Sequence, residues 1–138
     1  MNKRQLAETT TDPEILDELS RDKYYIVRFY VARNLNTTPE ILDYLSKDEY
    51  WWVRYRVARN LNTSPETLDY MSRDKDSTVR DGVAQNPNTT PETLKEMAKV
   101  ETNYDIITAI KIHPNCPEET WKYLSALEII ETLPQVTT

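Results

Sequence analysis

Residues 37–62 read TTPEILDYLSKDEYWWVRYRVARNLN, and the residues on either side repeat the message. Laid over residues 11–36, this stretch is identical at 18 of 26 positions, and laid over residues 63–88 it is identical at 14 of 26. Pro13, Pro39, Pro65, Pro91 and Pro117, each followed by Glu, mark the period of 26 along the chain. A period of that length belongs to stacked units, each too small to bury its own apolar face, and not to a globule with one closed core.

The shared frame is T-x-P-E-x-L-D-x-[LM]-S-x-D, then V-R-x-x-V-A-x-N-x-N. Its first half predicts a short helix. Thr37 or Thr38 can cap it, Pro39 suits the first helical position, and Glu40 favours the positive first turn. Leu42 and Leu45 form a narrow apolar stripe. The second half, from about Asp48, places Val53, Val57, Ala58 and Leu61 on one face of a second helix. Neither helix is long enough to persist alone in water, so neighbouring units must supply the burial.

The expected architecture is all-α: a solenoid of about five helical hairpins in one domain over residues 1–138. Units fall near 11–36, 37–62, 63–88 and 89–115, with a C-terminal cap over 116–133. In the fourth unit Ile106 and Ile110 take the places of the paired valines only if one residue is inserted before them. One residue is then missing from the loop His113-Pro114-Asn115-Cys116-Pro117. The cap reads as one amphipathic helix carrying Trp121, Leu124, Leu127, Ile130 and Leu133. Residues 1–10 read as an incomplete unit built on Leu6 and Ala7, and the residues from Pro134 onward are expected to fray.

Composition excludes several classes. There is a single glycine, Gly82, so tight β-turns are scarce. The single cysteine, Cys116, excludes an internal disulfide. A net charge of −6 argues against a dedicated nucleic-acid protein. No apolar run of membrane-spanning length occurs, and Asn2-Lys3-Arg4 is not followed by a signal-like apolar segment. A cytoplasmic protein is the default expectation.

The motif V-R-x-x-V-A-x-N followed by T-P-E-x-L-x-x-L-x-x-D resembles the leucine-rich repeat variant family. It is carried by Val27-Arg28, Val31-Ala32 and Asn34, by Val53-Arg54, Val57-Ala58 and Asn60, and by Val79-Arg80, Val83-Ala84 and Asn86. The resemblance spans roughly residues 11–125. It implies a right-handed armadillo/HEAT-like superhelix in which some helices are 3₁₀, and it implies a scaffold without implying an activity. The cysteine-bound iron–sulfur cluster of some members has no counterpart here, because Cys116 stands alone.

Arg28, Arg54 and Arg80 lie beside the apolar face of the second helix, at the seam between units. Asp22, Asp48 and Asp74, six residues earlier, are natural partners that would also cap that helix. Asn34, Asn60 and Asn86 fall at helix ends, where they can bond loop backbone. The same helical wheel turns another row outward: Ile26, Phe29, Tyr30 and Arg33 in unit 1, and Trp52, Tyr55, Arg56 and Arg59 in unit 2. Their equivalents in unit 3 are Thr78, Asp81, Gly82 and Gln85, a variation that argues against a core position. Trp, Tyr and Arg are enriched where partners bind. Charge follows the same division. Residues 24–36 carry a net +2 and residues 50–62 a net +3, whereas residues 12–22 carry −4 and residues 38–49 carry −3.

Catalysis is not expected. His113 is the only histidine and shares a short loop with Cys116, so no Ser-His-Asp or Cys-His set can form. Metal ligands are too few, no glycine-rich phosphate loop occurs, and no cofactor is implied. The leading reading is a scaffold that binds a protein or peptide through the outward row of units 1 and 2. The alternatives are nucleic-acid backbone binding by the Arg/aromatic row, and a homodimer that uses the row as its contact.

Overall fold

The computed structural model describes residues 1–134 and is all-helical over them. Ten α-helices follow in order: α1 (Lys3–Thr9), α2 (Pro13–Leu19), α3 (Tyr25–Arg33), α4 (Pro39–Leu45), α5 (Trp51–Arg59), α6 (Pro65–Met71), α7 (Ser77–Gln85), α8 (Pro91–Val100), α9 (Tyr104–Ile112) and α10 (Glu118–Thr132). None of the described residues is in a strand or a 3₁₀-helix, so the 3₁₀ segments implied by the family resemblance do not occur there. The expected fraying beyond Pro134 lies outside the described residues.

The repeat is visible in how each first helix begins. Pro13, Pro39, Pro65 and Pro91 each open a helix, with Asp12, Thr38, Ser64 and Thr90 as side-chain caps. Proline costs nothing there because its missing N–H is among the donors a helix start leaves free. Of the two candidate caps in unit 2, Thr38 does the capping. Thr37 is buried, and its hydroxyl donates to the Val31 carbonyl at 2.6 Å.

The second helices α3, α5, α7 and α9 pack on one another in series, with α1 at the head of the row. The first helices α2, α4, α6 and α8 pack on the second helix of their own unit and touch one another only sparsely. Leu16, Leu42, Leu68 and Leu94 are fully buried between the rows, together with Val31, Val53, Val57, Val79 and Val83. Burying each such side chain contributes about 1.5–3 kcal/mol, which the isolated hairpin could not recover. Leu61, expected on this face, is exposed: α5 ends at Arg59, and Leu61 sits in the loop beyond it.

Buried polar ladders hold the units in register. The side-chain amide of Asn60 donates to the carbonyls of Ala32 (2.8 Å) and Asn34 (3.1 Å), while its oxygen accepts the Asn62 N–H. Asn86 repeats the pattern on Ala58 and Asn60, and Asn34 repeats it on Ala7 and Thr10. A second ladder runs outside the first: Asn62 donates to Leu35 and Thr37, and Asn88 to Leu61 and Thr63. These bonds satisfy loop carbonyls that burial would otherwise strand.

The seam arginines correct one expectation. Arg28 forks onto the Asp48 carboxylate of the next unit (2.7 and 3.2 Å), and Arg54 onto Asp74 (2.8 and 3.2 Å). The aspartate of the same unit supplies only its backbone carbonyl, as Asp22 does to Arg28 at 2.7 Å. Its carboxylate does not cap the helix proper but accepts the N–H of the residue before it, as Asp48 does from Tyr50. α1 joins the same scheme. Lys3 reaches Asp22 at 2.8 Å, as Arg28 reaches Asp48, so α1 is the second helix of an incomplete unit.

Unit 4 absorbs its extra residue in α8, which runs for 10 residues where α2, α4 and α6 run for 7. Arg80 then pairs with Glu101, 21 residues on instead of 20. The following loop is not short by one. His113 stands in the asparagine ladder, with Nε2 2.8 Å from the Asn86 carbonyl and Nδ1 accepting the Asn115 N–H at 2.9 Å. Asn115 continues the outer ladder onto Pro87 and Thr89. What shifts is Pro117, which becomes the N-cap of α10 instead of its first residue. The cap helix consequently faces the stack with Thr120 and Leu124, while Trp121, Ile130 and Leu133 are exposed.

Candidate partner-binding surface

The row of second helices carries the outward residues of the repeat. Ile26, Trp52, Arg33 and Arg59 are exposed, Trp52 to 49%. Tyr30, Tyr55 and Arg56 are half-buried. Phe29 is the correction: it is buried, because α5 overhangs it. Its ring lies 5.8 Å from that of Trp52 and 5.2 Å from that of Tyr30, and the Arg56 guanidinium sits 5.0 Å above it.

One unit further on, the packing leans the same way. Tyr55 projects toward α7 and rests on Gly82, where an added Cβ would stand 3.3 Å from the tyrosine ring and 2.9 Å from the Ala58 Cβ. Gly82 is therefore buried. The variation Tyr30, Arg56, Gly82 reflects what each neighbour needs to fit, not a freely exposed position. Arg56 is held between two aromatic faces, Phe29 and Tyr55, and its Nε has no hydrogen-bond partner. Cation–π attraction stands in for that bond.

Sequence reasoning passed over several members of this surface. Trp51 lies 5.2 Å from Trp52, and Tyr25 stacks on Tyr50 at 4.8 Å. Arg4 on α1 covers Tyr30 at 4.9 Å. An offset of 25 residues would have found Arg4, because Lys3-Arg4-Gln5-Leu6-Ala7 lies over Arg28-Phe29-Tyr30-Val31-Ala32.

The electrostatics change along the row. Among the described residues, no carboxylate lies within ion-pair distance of Arg4, Arg33, Arg56 or Arg59. Arg59 bonds instead to the side-chain oxygen of Gln85, whose amide donates to Asp81. Beyond Gly82 the surface drops into an open hollow of about 680 Å³ between α7 and α9, with Asp81 and Asp105 on its wall. Burial pushes the Asp81 carboxyl above its ordinary range, against the opposing pull of the Gln85 amide.

Other concavities offer less. Two seam crevices, about 480 and 400 Å³, are lined in part by Asp48, Arg54 and Asp74 and, one unit earlier, by Asp22, Arg28 and Asp48. Those charges are already committed to each other across the seam. Among the described residues no group of His, Cys, Asp and Glu could hold a metal ion. The Cys116 thiol is pushed up by burial, away from the thiolate that nucleophilic chemistry needs. No helix among the described residues is long and apolar enough to cross a membrane. Neither a protein-family model nor a curated protein matches the chain.

Proposed function

We propose that this chain is a non-catalytic interaction module of the leucine-rich repeat variant type, binding a protein or peptide through the outward second-helix face of units 1 and 2. The observation that carries the reading is Trp52. Its indole is half exposed, yet it is fixed against Phe29 and Trp51 and not folded into the core. A preordered aromatic on a surface that also carries Arg33, Arg56 and Arg59 has the composition of a binding hot spot, and ordering it beforehand lowers the entropic cost of association.

The test compares wild type with Trp52→Ala/Arg59→Glu. Partners captured by wild type are identified, and each is then titrated in purified form against both proteins. A purified partner that binds wild type and is lost with the double variant supports the proposal. Equal affinity for both proteins overturns it, as does a sedimentation dimer that buries Trp52.

A further inference from the structure

We infer that the hollow between α7 and α9 is a binding site for an arginine side chain of a partner peptide. The site lies beyond the surface proposed above and stands without it, because it uses neither Trp52 nor any other residue of units 1 and 2.

Equivalent joints of the repeat show what belongs there. Between α3 and α5 the chain fills the groove itself: Trp52 lies 5.8 Å from the Phe29 ring, and the Arg56 guanidinium lies 5.0 Å from it. Between α5 and α7 Tyr55 takes the space and rests on Gly82. Between α7 and α9 the places of Phe29, Trp52 and Arg56 fall to Asp81, Asp105 and Ala109, once the extra residue of α8 is counted. Two aromatic rings and a guanidinium give way to two carboxylates and a methyl, and a hollow of about 680 Å³ opens where the earlier joints are filled.

The exchange leaves negative charge without a counter-charge. Among the described residues no cation lies within ion-pair distance of Asp81 or Asp105. Gln85 donates to one Asp81 oxygen at 2.7 Å, and Arg59 stops at the Gln85 side chain. Burial raises the Asp81 carboxyl above its ordinary range and Asp105 adds to the rise, against Gln85 and Arg59. A carboxylate so placed gains more from a cation than an exposed one does.

The rest of the lining selects among cations. Ala84 and Ala109 are buried on the hollow's surface, and Ile112 stands with them. A guanidinium is weakly hydrated, so it packs on apolar surface while its fork donates to carboxylates; an ammonium holds its water more strongly. The first joint already seats a guanidinium in the corresponding groove.

The isotope-labelled full chain is titrated with acetyl-Gly-Arg-Gly-amide and with its citrulline and lysine analogues, and binding is read from amide chemical shifts. Gly82 is the only glycine, so its amide gives an isolated signal next to Asp81. The arginine peptide should shift Gly82 and its neighbours on α7 and α9, bind about tenfold tighter than the citrulline peptide, and weaken as salt rises. The lysine peptide should bind more weakly than the arginine peptide. Asp81→Asn/Asp105→Asn should lower the arginine peptide's affinity about tenfold or more. Asp105→Asn alone, at an exposed position, should lower it in the same direction and keeps the test decisive if the double variant misfolds. Equal affinity for the citrulline peptide, undiminished binding by folded aspartate variants, or no shift at about 10 mM peptide overturns the inference. Equal affinity for the lysine peptide overturns the assignment to arginine. None of these results bears on Trp52, which the purified-partner titration decides.

Discussion

The side-chain amide of Asn60 donates to the backbone carbonyl of Asn34 across a unit boundary, 3.1 Å away, and Asn86 repeats the bond on Asn60 at 3.0 Å. One amide thereby satisfies two buried carbonyls, those of Asn34 and Ala32, and its oxygen also accepts the N–H of the exposed Asn62. Asn60→Leu keeps the volume and strands both carbonyls. Each stranded group costs about 1–3 kcal/mol, so the variant should lose about 2 kcal/mol or more of stability in urea denaturation. A loss within ordinary surface-mutation range would show that the ladder is incidental.

Arg54→Met removes the cation from a carboxylate that stays buried, since the side chains of Arg54 and Asp74 are only 7% and 10% exposed. Breaking one side of such a pair costs about 3–5 kcal/mol. The double variant Arg54→Met/Asp74→Asn removes the stranded charge and should recover a large part of the loss. No recovery would place the energy in the Asp48 carbonyl bond instead.

Gly82→Ala tests the seam under Tyr55. Alanine is favoured over glycine inside a helix by about 1 kcal/mol, so a free position would gain stability. Here the new methyl would stand 2.9 Å from the Ala58 Cβ, which is fixed to the backbone of α5 and cannot swing away. Net destabilisation of about 1–2 kcal/mol is expected, as for other overpacked sites. A rise in melting temperature would contradict the close approach of α5 and α7.

Glu101 gives the chain an acid-sensitive joint. Burial alone would raise its carboxyl, but the Arg80 guanidinium and the Asn103 and Thr102 N–H groups outweigh burial and hold it below its ordinary 4.5. A carboxyl depressed in the folded state contributes stability that is fully present above its unfolded value and is lost as pH falls through the folded one. Stability measured by urea melts should therefore be flat in this contribution near neutrality and decline below pH 4.5. Glu101→Gln should flatten that decline while lowering stability at neutral pH by about 3 kcal/mol, because Arg80 loses its charged partner.

What was legible in the sequence was whatever a single unit decides. Pro39 and Thr38 start a helix by local rules, and the Leu42 and Val57 stripes follow from helical periodicity. What crosses a boundary was harder to read. Arg54 has one aspartate six residues back and another twenty residues on, chemically identical because the units are, and only the stacked geometry chooses Asp74. The wheel placed Trp52, Arg33 and Arg59 on the outside because nothing overhangs them. It failed for Phe29 because a wheel describes one helix and omits the neighbour above it. Arg4 was missed because the first joint is one residue shorter than the period that reveals the others.

The joint between units 1 and 2 uses the same donors and acceptors as the joint between units 2 and 3, from the Asn60 amide to the Arg28 and Arg54 forks. A duplicate of residues 37–62 spliced in after Asn62 would thus find matching polar partners at both of its ends, but the copied Arg56 would stand where Gly82 now admits Tyr55. Length is consequently an adjustable property of this protein at its polar joints: a longer gene, made by copying in frame, yields a longer spine once that one aromatic contact is refitted.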